Sequence, residues 1–119
     1  MNIKEEIKHV TLSLIQYVSI LEEKFNDKTI EPENTELFFN YVKEDTKEVF
    51  KQLEKWVAIL MDQNKKEQPI IPVSIISSTK DNMTALIMHS YYKDVRRRRY
   101  MEINRSCIYT LQSVLSTVE

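Results

Sequence analysis

Imidazole and thiol chemistry in this chain rests on His9, His89 and Cys107. Glu6 and His9 stand at the Glu-x-x-His spacing that turns a carboxylate and an imidazole to one side of a helix. A di-metal centre in a helical bundle needs that pair on two helices. Three residues before His89 stands Leu86, so the second pair is missing, and His9 lies beside Lys8, off the apolar stripe. Cys107 would need a neighbouring base to act as a nucleophile. It falls instead on an apolar stripe, where a free thiol behaves as a small buried hydrophobe. Asp45 is the carboxylate set among apolar neighbours; isolated burial would raise its pKa, so it is expected to reach water or a tyrosine hydroxyl. These side chains define no catalytic residue, no metal site and no cofactor.

Binding chemistry has one conspicuous candidate. Lys93, Arg96, Arg97, Arg98 and Arg99 form a basic run flanked by Tyr92 and Tyr100. Guanidinium forks suit phosphates and aromatic rings stack on bases, the combination a single-stranded nucleic-acid surface uses. Four phosphate contacts would give a log–log salt slope of only roughly −3 to −4, which is weak, nonspecific binding. The structural reading has the arginines capping the carbonyl end of the third helix, where cations are favoured. The polar pair Asp81 and Asn82 is a second candidate, expected to bond across helices or lie on the surface.

The elements that must position these residues are helical. The 119-residue chain contains no Gly, where average usage of about 7% would give roughly eight. Phosphate loops, dinucleotide fingerprints, EF-hand loops and nucleophile elbows all require glycine, so those classes are excluded. Ile3, Ile7, Val10, Leu14, Tyr17 and Leu21 recur at spacings of 4 and 3, a heptad seam. Phe38, Tyr41, Val42, Val49, Leu53, Trp56 and Leu60 give a second helix one apolar face, which Asp45-Thr46 interrupts with an expected bend. Lys43, Lys47, Lys51 and Lys55 recur every four residues and read as its solvated side. Pro72 opens a third helix carrying Ile76, Met83, Ile87, Tyr91 and Val95, after a connection over 64–72 that holds Pro69, Ile70 and Ile71. Tyr100, Ile103, Cys107, Leu111, Val114 and Val118 mark a fourth. The expectation is all-α: one domain over 1–119, an antiparallel up-and-down four-helix bundle with helices near 3–25, 34–63, 72–94 and 98–118.

Residues 1–63 hold 8 basic and 13 acidic side chains and residues 64–119 hold 9 and 5, a polarity that predicts attraction between the halves or a basic surface for a partner. A lone cysteine fits a reducing compartment. The apolar run Val10–Leu21 is too short and too often interrupted by polar residues for a membrane span. A cytoplasmic protein without membrane attachment is expected, either monomeric or paired through a surplus face of Leu12, Ile15 and Ile20.

Asp81-Asn82-Met83, His89-Ser90-Tyr91, the basic cluster and Tyr109-Thr110-Leu111, with Phe38-Phe39 and Trp56 upstream, resemble the YppE-like family over residues 37–115. The resemblance implies a four-helix bundle from Gram-positive bacteria and supplies no activity, ligand or catalytic residue. One position departs from the family's pattern: Glu44 stands where relatives often carry a proline. The functional expectation is a non-catalytic module that docks an unidentified protein through its basic tip or a helix face, the alternative being weak nucleic-acid association through Arg96–Arg99.

Overall fold

The computed structural model describes residues 2–66 and 69–119; Met1 and residues 67–68, within the expected 64–72 connection, lie outside the described residues. Among the described residues the chain is all-helical, with five helices and no strand.

Helix α1 spans Ile3–Asn26. Its first turn is capped by Asn2, whose side chain accepts the Glu5 N–H at 2.9 Å, while Glu5 and Glu6 face the positive end of the helix dipole. The buried face is Ile7, Val10, Thr11, Leu14, Val18 and Leu21. A straight helix drifts away from a strict seven-residue repeat, so Val18 rather than Tyr17 completes the stripe.

The single helix expected over 34–63 is two helices, α2 (Glu36–Asp45) and α3 (Lys47–Lys65), and this corrects the four-helix count. The break is at Thr46, with φ −99° and ψ −3°. Its hydroxyl turns back to donate to the Val42 carbonyl at 2.7 Å and makes no capping bond to the helix that follows. The chain thus bends without a proline. Helix α2 packs on α3 and buries only Val42, whereas α3 buries Val49, Leu53, Trp56, Leu60 and Gln63.

Pro72 precedes α4 (Val73–Tyr92), its carbonyl accepting the Ile76 N–H at 3.1 Å. Helix α5 runs Arg97–Val118. Helix α1 packs against α3, α4 and α5, and α4 also meets α3 and α5, around one core. Trp56 is at its centre, 0% exposed, and its indole N–H donates to Thr11 Oγ1 at 3.1 Å. The polar residues Thr11, Thr79, Ser90 and Asn104 are buried with the apolar ones, and no buried side-chain N or O lacks a partner among the described residues.

Candidate functional site

The basic run occupies the tip where α4 turns into α5. Lys93 follows the last residue of α4 and adopts the left-handed conformation, φ 53° and ψ 35°. That geometry costs a non-glycine residue roughly 1–2 kcal/mol. Its ammonium donates to the carbonyl oxygens of Asp27 and, at 2.9 Å, of Ile30, tying this turn to the α1–α2 connection. Asp27 in turn accepts the Thr29 hydroxyl at 2.6 Å and the Thr29 N–H at 2.9 Å. These bonds first, then the charges of Lys93 and Lys24, hold its carboxyl below the usual range.

The arginines do not cap the carbonyl end of α4. Arg96 is the residue before α5 and Arg97, Arg98 and Arg99 form its first turn, at the positive end of the dipole. Arg97 donates to the Asn26 side chain, and Arg98 Nε and Arg99 Nη1 lie 3.6 and 3.4 Å from the Glu102 carboxylate. Arg98 remains 93% exposed at its side chain, so its pairing is a surface contact. The expected attraction between acidic and basic halves is made here through direct bonds to a carbonyl-rich turn and an amide, with the Lys93 charge also acting on the Asp27 carboxylate.

Neither tyrosine of the run is free to stack on a base. Tyr100 is 0% exposed, lies flat on Phe25 with ring centroids 3.9 Å apart, and shares a 2.7 Å hydrogen bond with Ser90. Its assignment as a contact residue is corrected: it begins the buried stripe of α5. Burial pushes its hydroxyl up to about 12 against the opposing effect of the Ser90 bond. Tyr92 is half-buried with Phe38 packed edge-on against it at 5.2 Å.

Asp81 is exposed and Asn82 half-buried beside a shallow α4–α5 groove with Ser78, Thr79, Ser106, Tyr109 and Thr110. Asn82 is ten residues, about 15 Å of helix rise, from Tyr92, so this pair and the basic tip do not form one site. Among the described residues neither side chain bonds across helices.

A third arrangement was not anticipated. Where α2 bends into α3, an open groove of about 500 Å³ is lined by Phe39, Val42, Thr46 and Phe50, with Met88 from α4. Lys43, Lys47 and Lys51 also line it, as does Glu54, the lining residue furthest along α3. Its walls are mostly carbon, and Phe39 is 53% exposed. Among the described residues none of the three lysines forms an ion pair. The row does face solvent, as expected, and it also borders an apolar floor. The available signal was Phe50, a large apolar side chain beside the lysine row and off the inner Val49–Leu53–Trp56–Leu60 stripe. Met88 lies 37 residues beyond Lys51, and only the tertiary fold brings it in.

Other ionisable groups are structural in placement. The Tyr91 hydroxyl donates to Asp45, which also lies 3.8 Å from Lys24, so Asp45 does reach a tyrosine; burial and this bond raise the Tyr91 hydroxyl. His89 meets Asp94 at 2.5 Å, and His9 is exposed on α1. Burial pushes the Cys107 thiol up to about 12. Among the described residues no helix is long and apolar enough to cross a membrane.

Five helices on one core, a basic tip braced against the opposite turn and a cation-lined apolar groove define a small all-α protein. The chain belongs to the family described as a bacterial domain of unknown function (DUF1798), which matches residues 11–118. Its fold is similar to that of YppE from Bacillus subtilis. The crystal structure of that protein aligns at a TM-score of 0.80 and 20% identity, covering 99% of this chain and 95% of that one. The solution NMR structure aligns at 0.75 and 20%, covering 95% and 92%. No curated protein matches the chain. At this identity the likeness shows the fold alone.

Proposed function

We propose that the protein is a non-catalytic interaction module of the cytoplasm: an antiparallel up-and-down four-helix bundle in which α2 and α3 count as one bent rod, docking another protein on the α2–α3 face. The observation that carries this reading is the set of Lys43, Lys47 and Lys51, without an ion pair among the described residues, around an apolar floor of exposed Phe39 and half-buried Phe50 and Met88. Partially exposed aromatics within a rim of polar groups are the usual anatomy of a protein contact. The non-catalytic part draws support from Cys107, whose thiol at about 12 holds no thiolate near neutrality. The cytoplasmic part draws on the same lone buried thiol.

The nucleic-acid alternative is the weaker reading, because the buried Tyr100 and packed Tyr92 supply no stacking platform and Arg97, Arg98 and Arg99 have partners. The test is photocrosslinking in native lysate at physiological salt, with a benzophenone side chain at position 39 and, as control, at Leu12. A discrete protein adduct from position 39 alone supports docking on this face. Absence of any adduct above background, or equal yield from Leu12, overturns it.

A further inference from the structure

We infer that the partner's contacting segment is an acidic amphipathic helix, laid along α2 and α3 with carboxylates facing Lys43, Lys47 and Lys51 and apolar side chains on Phe39, Phe50 and Met88. The inference rests on the docking reading above and names the chemistry of its occupant.

Charge complementarity carries the argument. Lys47 and Lys51, four residues apart on α3, stand about 6 Å of helix rise apart, and Lys43 extends the row across the bend at Thr46. A ligand with one carboxylate, such as a fatty acid, would engage one cation and leave two unanswered. A partner helix repeats its own side chains at the i, i+4 interval of Lys47 and Lys51, so a row of Glu or Asp can meet that pair and continue toward Lys43. The groove is open, not enclosed, and its floor is aromatic and thioether carbon, which an apolar helix face covers as other helix-in-groove complexes do. A polyphosphate or nucleic-acid chain answers the charges and leaves Phe39 without an apolar partner. Glu54 at one end adds direction: it repels a further carboxylate and accepts a basic residue there, so it selects one polarity of the bound helix.

The test uses the full chain and two synthetic peptides of about 18 residues. Both carry Leu at i, i+3, i+4 and i+7; one flanks the leucines with Glu and the other with Lys at the same positions. The acidic peptide is expected to bind at least tenfold more tightly at low salt, by fluorescence anisotropy, with the difference shrinking as salt rises. The charge-reversed variant K43E/K47E/K51E is expected to invert the preference, and its unchanged circular dichroism shows that the fold persists. Phe39→Ser should weaken the acidic peptide without altering the preference. Equal affinity for both peptides, binding of neither, or a preference that survives charge reversal overturns the inference. So does displacement of the acidic peptide by laurate at equal concentration, or a dimer in sedimentation analysis that the reversal abolishes. These outcomes are separable from the crosslinking result: an adduct at position 39 that persists in K43E/K47E/K51E leaves the docking face standing and removes the acidic helix.

Discussion

The tip at Lys93–Arg99 carries five cations and the groove at Lys43–Lys51 three, and the two regions use them in opposite ways. At the tip the density is high and most of the charges have partners: Lys93 holds two carbonyls of the α1–α2 connection, Arg97 holds Asn26, and Arg98 and Arg99 share Glu102, while Arg96 is exposed. Along the groove the density is that of any exposed helix face, yet the lysines have no ion pair among the described residues and stand over uncovered aromatic carbon. A run of like charges in a sequence reports concentration, not availability. What decides availability is which oxygen atoms the fold brings within reach, and the tip lies against a turn full of them.

The comparison presumes that both regions sit on one rigid core, and the largest expected effect tests that. Trp56→Ala removes a fully buried indole and leaves the buried Thr11 hydroxyl without its donor. Stability should fall by about 3–5 kcal/mol in urea or thermal unfolding. A melting temperature that barely moves would mean the α3 face carrying the groove is not anchored to the core.

Next comes the cation that most clearly serves the fold. Lys93→Met keeps the left-handed turn and removes the ammonium from the Asp27 and Ile30 carbonyls. Loss of this charged, partly buried donor should cost about 1–3 kcal/mol. Lys93→Gly also removes the ammonium but relieves the backbone cost, so it should be the milder change by about 1 kcal/mol. If the two variants melt alike, the left-handed geometry contributes nothing.

A smaller effect lies under the tip. The Tyr100 hydroxyl titrates near 10.0 when unfolded and at about 12 when folded, so the native state resists its ionisation. A raised folded pKa stabilises fully below pH 10 and is lost as pH rises through 12. Between these limits the unfolded chain holds fewer protons, so the unfolding free energy falls with pH. One pKa unit corresponds to about 1.4 kcal/mol, so by pH 11 Tyr100 should cost about 1 kcal/mol relative to pH 9. Tyr100→Phe should flatten part of the alkaline decline in melting temperature; an unchanged slope would show that Tyr100 is not the group responsible. Tyr91 and Cys107, raised in the same direction, account for slope that remains.

These residues also mark how much could be read before the fold was known. Leu14, Trp56, Leu60, Cys107 and Leu111 announce themselves by helical spacing, because burial of an amphipathic face demands that period. The bend at Asp45-Thr46 is legible as polar residues interrupting that face; that it divides the helix in two depends on the Thr46 hydroxyl choosing the Val42 carbonyl. The tip misleads because no glycine marks the turn: Lys93 takes the left-handed position and ends α4, so Arg96 and Arg97 join Arg98 and Arg99 at the start of α5 and none of them caps the carbonyl end of α4. Tyr100 carries two signals, an aromatic beside arginines and the first residue of an apolar stripe, and the stripe wins because its area is worth more buried than exposed. The groove is the least legible element, since Phe39, Phe50 and Met88 come from three helices and share no local pattern.

The smallest expected effect on stability sharpens the contrast most. Lys43→Ala, Lys47→Ala and Lys51→Ala should each leave unfolding within about 0.5 kcal/mol of the parent, as surface changes without partners do. The triple variant should melt with the parent as well, because independent sites add and each adds nearly nothing. Lys47 and Lys51 stand at i, i+4 on α3, so removing them also relieves a small like-charge repulsion. Lys93 removed from the tip costs stability; lysines removed from the groove do not, although all four carry the same charge on the same stem. A triple variant that melts well below the parent would show that the groove lysines brace the fold as Lys93 does, and the two regions would then differ in place and not in kind.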